Sequence, residues 1–129
     1  MNTPSSRKQA AYQRGVDAEA IAAQHLRGQG LEVLALRHRN AGGEIDVLAR
    51  NDDTLIVVEV KARKAHEEGL YSVTPAKQKR LIRATEALLA EGEKFAGLGD
   101  LARFNIRFDV IVIVPGKTPL HLPNAFYVE

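Results

Sequence analysis

Apolar positions follow two rhythms along this chain. Between residues 9 and 29 they recur at spacings of three and four, with Tyr12, Val16, Ala23 and Leu26 on one stripe, which predicts a helix that buries that stripe. After Gly28 and Gly30 the rhythm changes to short runs of strand-forming residues at 31–36, 44–49 and 54–60. Asn51, Asp52 and Asp53 separate the last two runs and predict a β-hairpin. Thr74-Pro75 then opens a second helix, with Thr as N-cap and Pro as first helical residue. That helix is expected to reach about Glu91 and to bury Leu81, Ile82, Thr85, Leu88 and Leu89. A long apolar strand follows at 106–114, stopped by Pro115-Gly116, and a short one is expected at 125–128.

The predicted order is αβββαββ, an α/β sandwich with a mixed central sheet flanked by helices. The strand, helix and strand that follow one another from 54 to 114 imply a parallel pair with a right-handed crossover. Residues 37–43 read as a basic, flexible connection, 62–73 as a loop without clear periodicity, and 92–103 as a glycine-containing loop. Met1 to Lys8 is polar with nothing to bury and is expected to be disordered, leaving 9–129 as a single domain.

Composition narrows the chemistry. With 129 residues and 45% hydrophobic content, one domain with one core is expected. No run approaches the ~18 apolar residues of a membrane span, and the N-terminus has no apolar leader segment, so a cytosolic setting is expected. Cys is absent, which excludes thiolate metal sites, and His25, His38, His66 and His121 are too scattered for a zinc cluster. Any metal is therefore expected to be hard and oxygen-ligated, Mg²⁺ or Mn²⁺. The net charge of +2 is small but uneven: residues 61–83 hold seven cations against Glu67 and Glu68, leaving the rest of the chain at −3.

The hairpin carries the candidate chemistry. An even loop centred on Asp52 and Asp53 sets Asp46 opposite Glu59 and Glu44 opposite Lys61, with Asp46, Glu59 and Lys61 on one face; an odd loop would turn Asp46 away. Opposed residues have Cβ atoms about 4.5–5.5 Å apart, close enough for two carboxylates to share one ion. Leu55 to Val58 run apolar without alternation, as in a strand covered on both faces, so Glu59 follows directly on a buried stretch. Two carboxylates there repel each other and require a cation, either Lys61 or a bound metal.

Asp46 followed by Glu59-Val60-Lys61 on the next strand resembles the D...ExK signature of the PD-(D/E)XK, or restriction-endonuclease-like, superfamily of metal-dependent nucleases. The ordered set GGEIDVLA, VVEVKAR, Thr74 to Gln78, Arg107 to Val110 and Asn124 to Phe126 is similar to the YraN-like family of small bacterial proteins, over about residues 12–128. Ile45 stands where the superfamily has proline, and Ala18 where the family has a second glycine. The resemblance implies a restriction-endonuclease-like fold in which Asp46 and Glu59 hold Mg²⁺ or Mn²⁺, with the Val60 carbonyl as a further ligand. It also implies that Glu19, on the first helix, joins the strand carboxylates, that Lys61 serves the reacting water or phosphate, and that Gln78 helps hold the site. Asp109 is expected to pair with Arg107 or a neighbouring helix.

Nucleic-acid contacts are sought among the basic residues. Lys77, Lys79 and Arg80 load the first turns of the second helix with positive charge against its macrodipole, an order that suits a phosphate ligand. Arg37 and Arg39 precede Asp46, Arg63 and Lys64 follow Lys61, and each group reads either as a phosphate contact or as solvated charge. Tyr71 reads as a base-stacking residue or as ordinary packing. The expected function is metal-dependent hydrolysis of phosphodiester bonds, of DNA first and of branched or structured forms; the alternative is a nucleic-acid-binding or interaction module without chemistry. Expected partners are nucleic acid, a second copy of the chain, and a DNA-processing protein, with no membrane.

Overall fold

The structure, a computed structural model, describes residues 4–65, 73–91, 95 and 97–126, the side chains of residues 4, 5, 11–13 and 16 excepted. Its elements are α1 (Pro4–Gly28), β1 (Glu32–Asn40), β2 (Gly43–Arg50), β3 (Thr54–Ala62), α2 (Pro75–Ala90), a 3-10 turn (Leu101–Arg103), β4 (Asn105–Ile113) and β5 (Leu120–Phe126). The expected αβββαββ order is present. The five strands lie in the sheet in chain order; β3 and β4 are parallel and the other neighbours antiparallel.

Alternation along β3 divides the core. Ile56 and Val58 pack with Ala18, Ala22 and Leu26 of α1, whereas Leu55 and Val57 pack with Leu81, Ala84 and Leu88 of α2. The helices therefore cover opposite faces, and a strand buried on both sides reads as the continuous apolar run seen in the sequence. All four of these β3 side chains are fully buried. Ala18, at the family's second glycine position, is buried against the sheet with its methyl accommodated.

Element boundaries differ in places from the sequence reading. α1 begins at Pro4 rather than Gln9, with Ser6 to Ala10 exposed. Of its expected stripe, Ala23 and Leu26 are buried, while Tyr12 and Val16 lie outside the described side chains. β1 continues to Asn40, so Arg37, His38 and Arg39 are strand residues and not a flexible connection. Antiparallel pairing extends to Arg39 opposite Glu44 and Asn40 opposite Gly43, leaving Ala41 and Gly42 as the turn. β5 starts at Leu120, before the expected Ala125, because residues 120–122 satisfy the outer edge of β4; Pro123, which has no N–H to give, falls where the register shifts. Tyr71 lies outside the described residues.

The β1–β2 turn is seated on α2. Asn40 Oδ1 accepts from the N–H groups of Gly42 and Gly43, and Asn40 Nδ2 donates to the Ala84 carbonyl at 2.8 Å. A Cβ on Gly42 would collide with the Arg83 carbonyl, so glycine is required by close approach. Thr74 caps α2 as expected, its Oγ1 accepting from Lys77 N.

Candidate metal centre and basic rim

The β2–β3 register pairs Val47 with Val58 through Arg50 with Leu55, the even-loop hairpin. Pairing stops at Val47 and Val58. Beyond that point β2 continues along β1 and β3 continues along β4, so the two strands fork. A fork leaves strand N–H groups without a ladder partner, and Asp46 supplies one: its Oδ2 accepts from Val60 N at 2.9 Å. In an extended strand the carbonyl of a residue points the same way as its N–H, so that of Val60 also opens toward the fork.

Acids gather in this opening. One carboxylate oxygen each from Glu19, Glu44 and Asp46 lie within 4.8 Å of one another. Glu59 lines the same hollow, of about 350 Å³, together with Gly42, Gly43, Glu44, Asp46, Lys77, Arg80 and Leu81. Glu59 is turned to Lys61, whose Nζ is 2.7 Å from its Oε1, and stands outside the close trio. Glu44 is the residue that the sequence reading passed over. Its signal was present, since residues 44 and 46 of one strand share a face.

Burial, then the neighbouring charge of Glu59, pushes the Asp46 carboxyl up from its ordinary 3.8 to about 7; the Val60 N–H and Lys61 only partly offset this. Glu19, with 7% of its surface exposed, is raised as well, first by burial and against the pull of Arg37. Arg37 spans the cluster, with Nη1 3.3 Å from Glu19 Oε2 and Nε 3.5 Å from Glu44 Oε1. Its φ of 51° is left-handed, a conformation costing a non-glycine residue on the order of 1–3 kcal/mol.

The donor set fits a hard divalent cation. Around an ion with bonds of about 2.1 Å neighbouring oxygens stand roughly 3 Å apart and opposite ones roughly 4.2 Å, so a trio lying within 4.8 Å would have to draw in slightly to share one ion. All three donors are carboxylates, and the raised Asp46 is a group that gains from exchanging its proton for a metal.

The basic residues divide. Lys61 is buried, with 8% exposed, and Lys77 of α2 lies beside it; the Lys61 charge, followed by burial, lowers the Lys77 ammonium below its ordinary value. Lys77 and Arg80 line the hollow, whereas Lys79 is exposed and is not among its lining residues. Gln78 Nε2 donates to the Val73 carbonyl at 3.2 Å and lines a second hollow. Arg39 pairs with Glu44 at 3.4 Å, Arg63 Nη1 donates to the Ala62 carbonyl, and Lys64 is exposed. Asp109 stands apart, fully buried and bonded to Arg107 Nε and Nη2, His121 Nε2 and Asn124 N, the structural pairing expected of it. Burial pushes its carboxyl up, but the His121 and Arg107 hydrogen bonds outweigh this and hold it below its ordinary value.

Among the described residues no helix is long and apolar enough to cross a membrane. The model of the uncharacterised protein family UPF0102 matches residues 18–113, a span that contains Glu19, Glu44, Asp46 and Glu59 and the whole of α2. A UPF0102 protein of Rhodopseudomonas palustris is 40% identical over 123 residues, covering 95% of this chain and 91% of its own. One from Rhizobium etli is 42% identical over 119 residues, covering 92% and 93%, and one from Mesorhizobium japonicum 37% over 124 residues, covering 96% and 94%. On this near full-length similarity the chain belongs to the UPF0102 family.

Proposed function

We propose that the protein is a metal-dependent nuclease that hydrolyses phosphodiester bonds of nucleic acid, DNA first. One observation carries this reading: the carboxylates of Glu19, Glu44 and Asp46 converge at a strand fork, where the Val60 N–H needs only one acceptor and Asp46 alone supplies it. Such a cluster costs stability unless a cation or protons neutralise it. Asp46 and Glu44 from β2 and Glu19 from α1 would hold a divalent ion, with Glu59 and the Val60 carbonyl at its margin. A bound Mg²⁺ or Mn²⁺ supplies Lewis-acid polarisation of a phosphoryl oxygen and a water of lowered pKa.

The chain's own residues do the rest. Lys61, fixed against Glu59, presents a cation toward the position where negative charge grows on the phosphate. Lys77 and Arg80 line the hollow and would receive the phosphate backbone, with Lys79 on the exposed surface of α2. Lys77, held by its neighbour below its usual ammonium range, gains from an arriving phosphate.

A second reading, a nucleic-acid-binding module without chemistry, is favoured by Arg37, which already bridges Glu19 and Glu44 and so neutralises part of the cluster from within. Purified wild type and Asp46→Asn separate the two. With Mg²⁺ or Mn²⁺, wild type should cut at least one of a panel of single-stranded, duplex, flapped and four-way DNA and RNA, and Asp46→Asn should not. Equal cleavage by both would assign the activity to a contaminant and leave the binding module.

A further inference from the structure

A second hollow lies on the same face of the sheet as the acidic one. It has a volume of about 420 Å³, and Val73, Val110, Leu122, Ala125, Phe126 and Gln78 are among its walls. Val110 lies directly across the β3–β4 ladder from Glu59, and register partners on neighbouring strands project to the same side. Gln78 follows Lys77, which lines the acidic hollow. The two linings have no residue in common, but Glu59 of one is the ladder partner of Val110 of the other, and Lys77 of one precedes Gln78 of the other in α2.

Their chemistries are opposite. The first hollow is lined by three acids and two cations, whereas the second has no charged residue among its described walls. Its floor is the apolar face of β4 and β5, with Phe126 stacked on Phe108 at 4.8 Å between centroids, and its one polar side chain is an amide. The Gln78 amide is anchored by its bond to the Val73 carbonyl, which fixes Oε1 as the acceptor that remains. A hollow without charged walls and with a positioned amide suits a neutral heteroaromatic ring with a polar edge, and offers no cation to a phosphate.

We propose that this hollow receives one unpaired nucleobase, adjacent to the phosphate held at the acidic cluster, and that the protein prefers DNA in which a nucleotide is out of the stack. The inference rests on the nuclease reading above and adds the feature of the substrate that is recognised. A base inside a duplex must be unstacked and unpaired before it can enter, whereas a bulged base has already lost those contacts. Ala125 is exposed at the mouth, so a larger side chain there fills the hollow from the surface with no buried atom displaced.

The test compares two DNA duplexes that differ by one unpaired nucleotide carrying a fluorescent adenine analogue, with Ca²⁺ replacing Mg²⁺ to prevent cutting. Wild type should bind the bulged duplex about tenfold more tightly than the paired one, and the fluorescence of the analogue should change on binding. In Ala125→Trp that ratio should fall to about one, with circular dichroism as the check on folding. Equal affinities with unchanged fluorescence would overturn the base hollow while leaving nucleic-acid binding in place. A tenfold ratio that persists in Ala125→Trp would also overturn it, by moving the preference elsewhere. Failure to bind either duplex would overturn the nucleic-acid reading itself, and the base hollow with it.

Discussion

Lys61 and Asp46 both face the strand fork and ask for different things from their surroundings. Lys61 lies near the end of a strand in which Leu55 to Val58 are fully buried, and its ammonium is met by Glu59 at 2.7 Å. It holds no metal, so Lys61→Ala should leave divalent-ion binding in place. Cleavage should nevertheless fall by a factor of roughly a hundred to a thousand, the worth of one positioned electrostatic donor at about 3–4 kcal/mol. Isothermal titration with Mn²⁺ alongside single-turnover cleavage checks this, and a parallel loss of both would make Lys61 a support for the acids. The register of Val47 to Arg50 against Leu55 to Val58 was legible because the hairpin loop could be counted from its turn formers. The expected oppositions of Asp46 to Glu59 and of Glu44 to Lys61 are not in the ladder, because the strands fork after Val47 and Val58. Which carboxylates meet was not legible, because a strand register says which residues face each other and not which rotamers ion pairs select. Glu59 turned to Lys61, and Glu44, held by Arg37 and Arg39, joined Glu19 and Asp46.

At the level of elements, the site depends on how the β1–β2 turn docks on α2. Gly42 has no room for a side chain against the Arg83 carbonyl, so Gly42→Ala should cost about 1–3 kcal/mol, the usual range for forced overpacking, read as a lowered urea midpoint at unchanged slope. Gly28→Ala, where nothing lies near the added atom, is the matched control and should be near neutral. The basic first half of α2 makes a second claim. Lys77, Lys79 and Arg80 changed together to Ala should weaken nucleic-acid binding across sequences and flatten its salt dependence by roughly 0.9 slope units for each duplex phosphate that is no longer neutralised. Unchanged affinity and slope would mean that α2 faces away from the substrate. The start of α2 could be read from Thr74-Pro75 because a capping side chain and a proline act locally. The ends of β1 and β5 could not. Arg37 to Asn40 and Leu120 to Leu122 become strand only because a neighbouring edge offers partners, and Arg37 does so in a backbone conformation that its own propensity opposes.

On the scale of the whole molecule, two aspartates pull the pH dependence of stability in opposite directions. Asp109 ties β4 to β5 through His121 and Asn124 and is paired with Arg107 of its own strand, and His121 in turn meets His25 of α1 edge to face at 5.4 Å. Its carboxyl is held below the ordinary value, so its contribution is present above the unfolded aspartate range and lost as pH falls through the folded one. Asp109→Ala should cost about 3–5 kcal/mol by stranding its partners, as measured by urea unfolding near neutral pH. Asp46 has the reverse sign. Between 3.8 and about 7 the native protein keeps a proton that the unfolded chain has released, so stability falls as pH rises through that window. Asp46→Asn, which has no charge to bury, should therefore be more stable than wild type near pH 8 in chelator, with the gap shrinking as pH falls toward 4. Divalent ions should close that gap from the other side. If the acidic cluster holds Mg²⁺, a concentration about a hundredfold above the dissociation constant should raise wild-type stability near pH 8 by about 2.7 kcal/mol, with much less effect near pH 5, where Asp46 is protonated. Asp46→Asn should show little of this rise at either pH. An equal rise in both proteins, or one indifferent to pH, would place the ion somewhere other than the fork and remove the metal from the site.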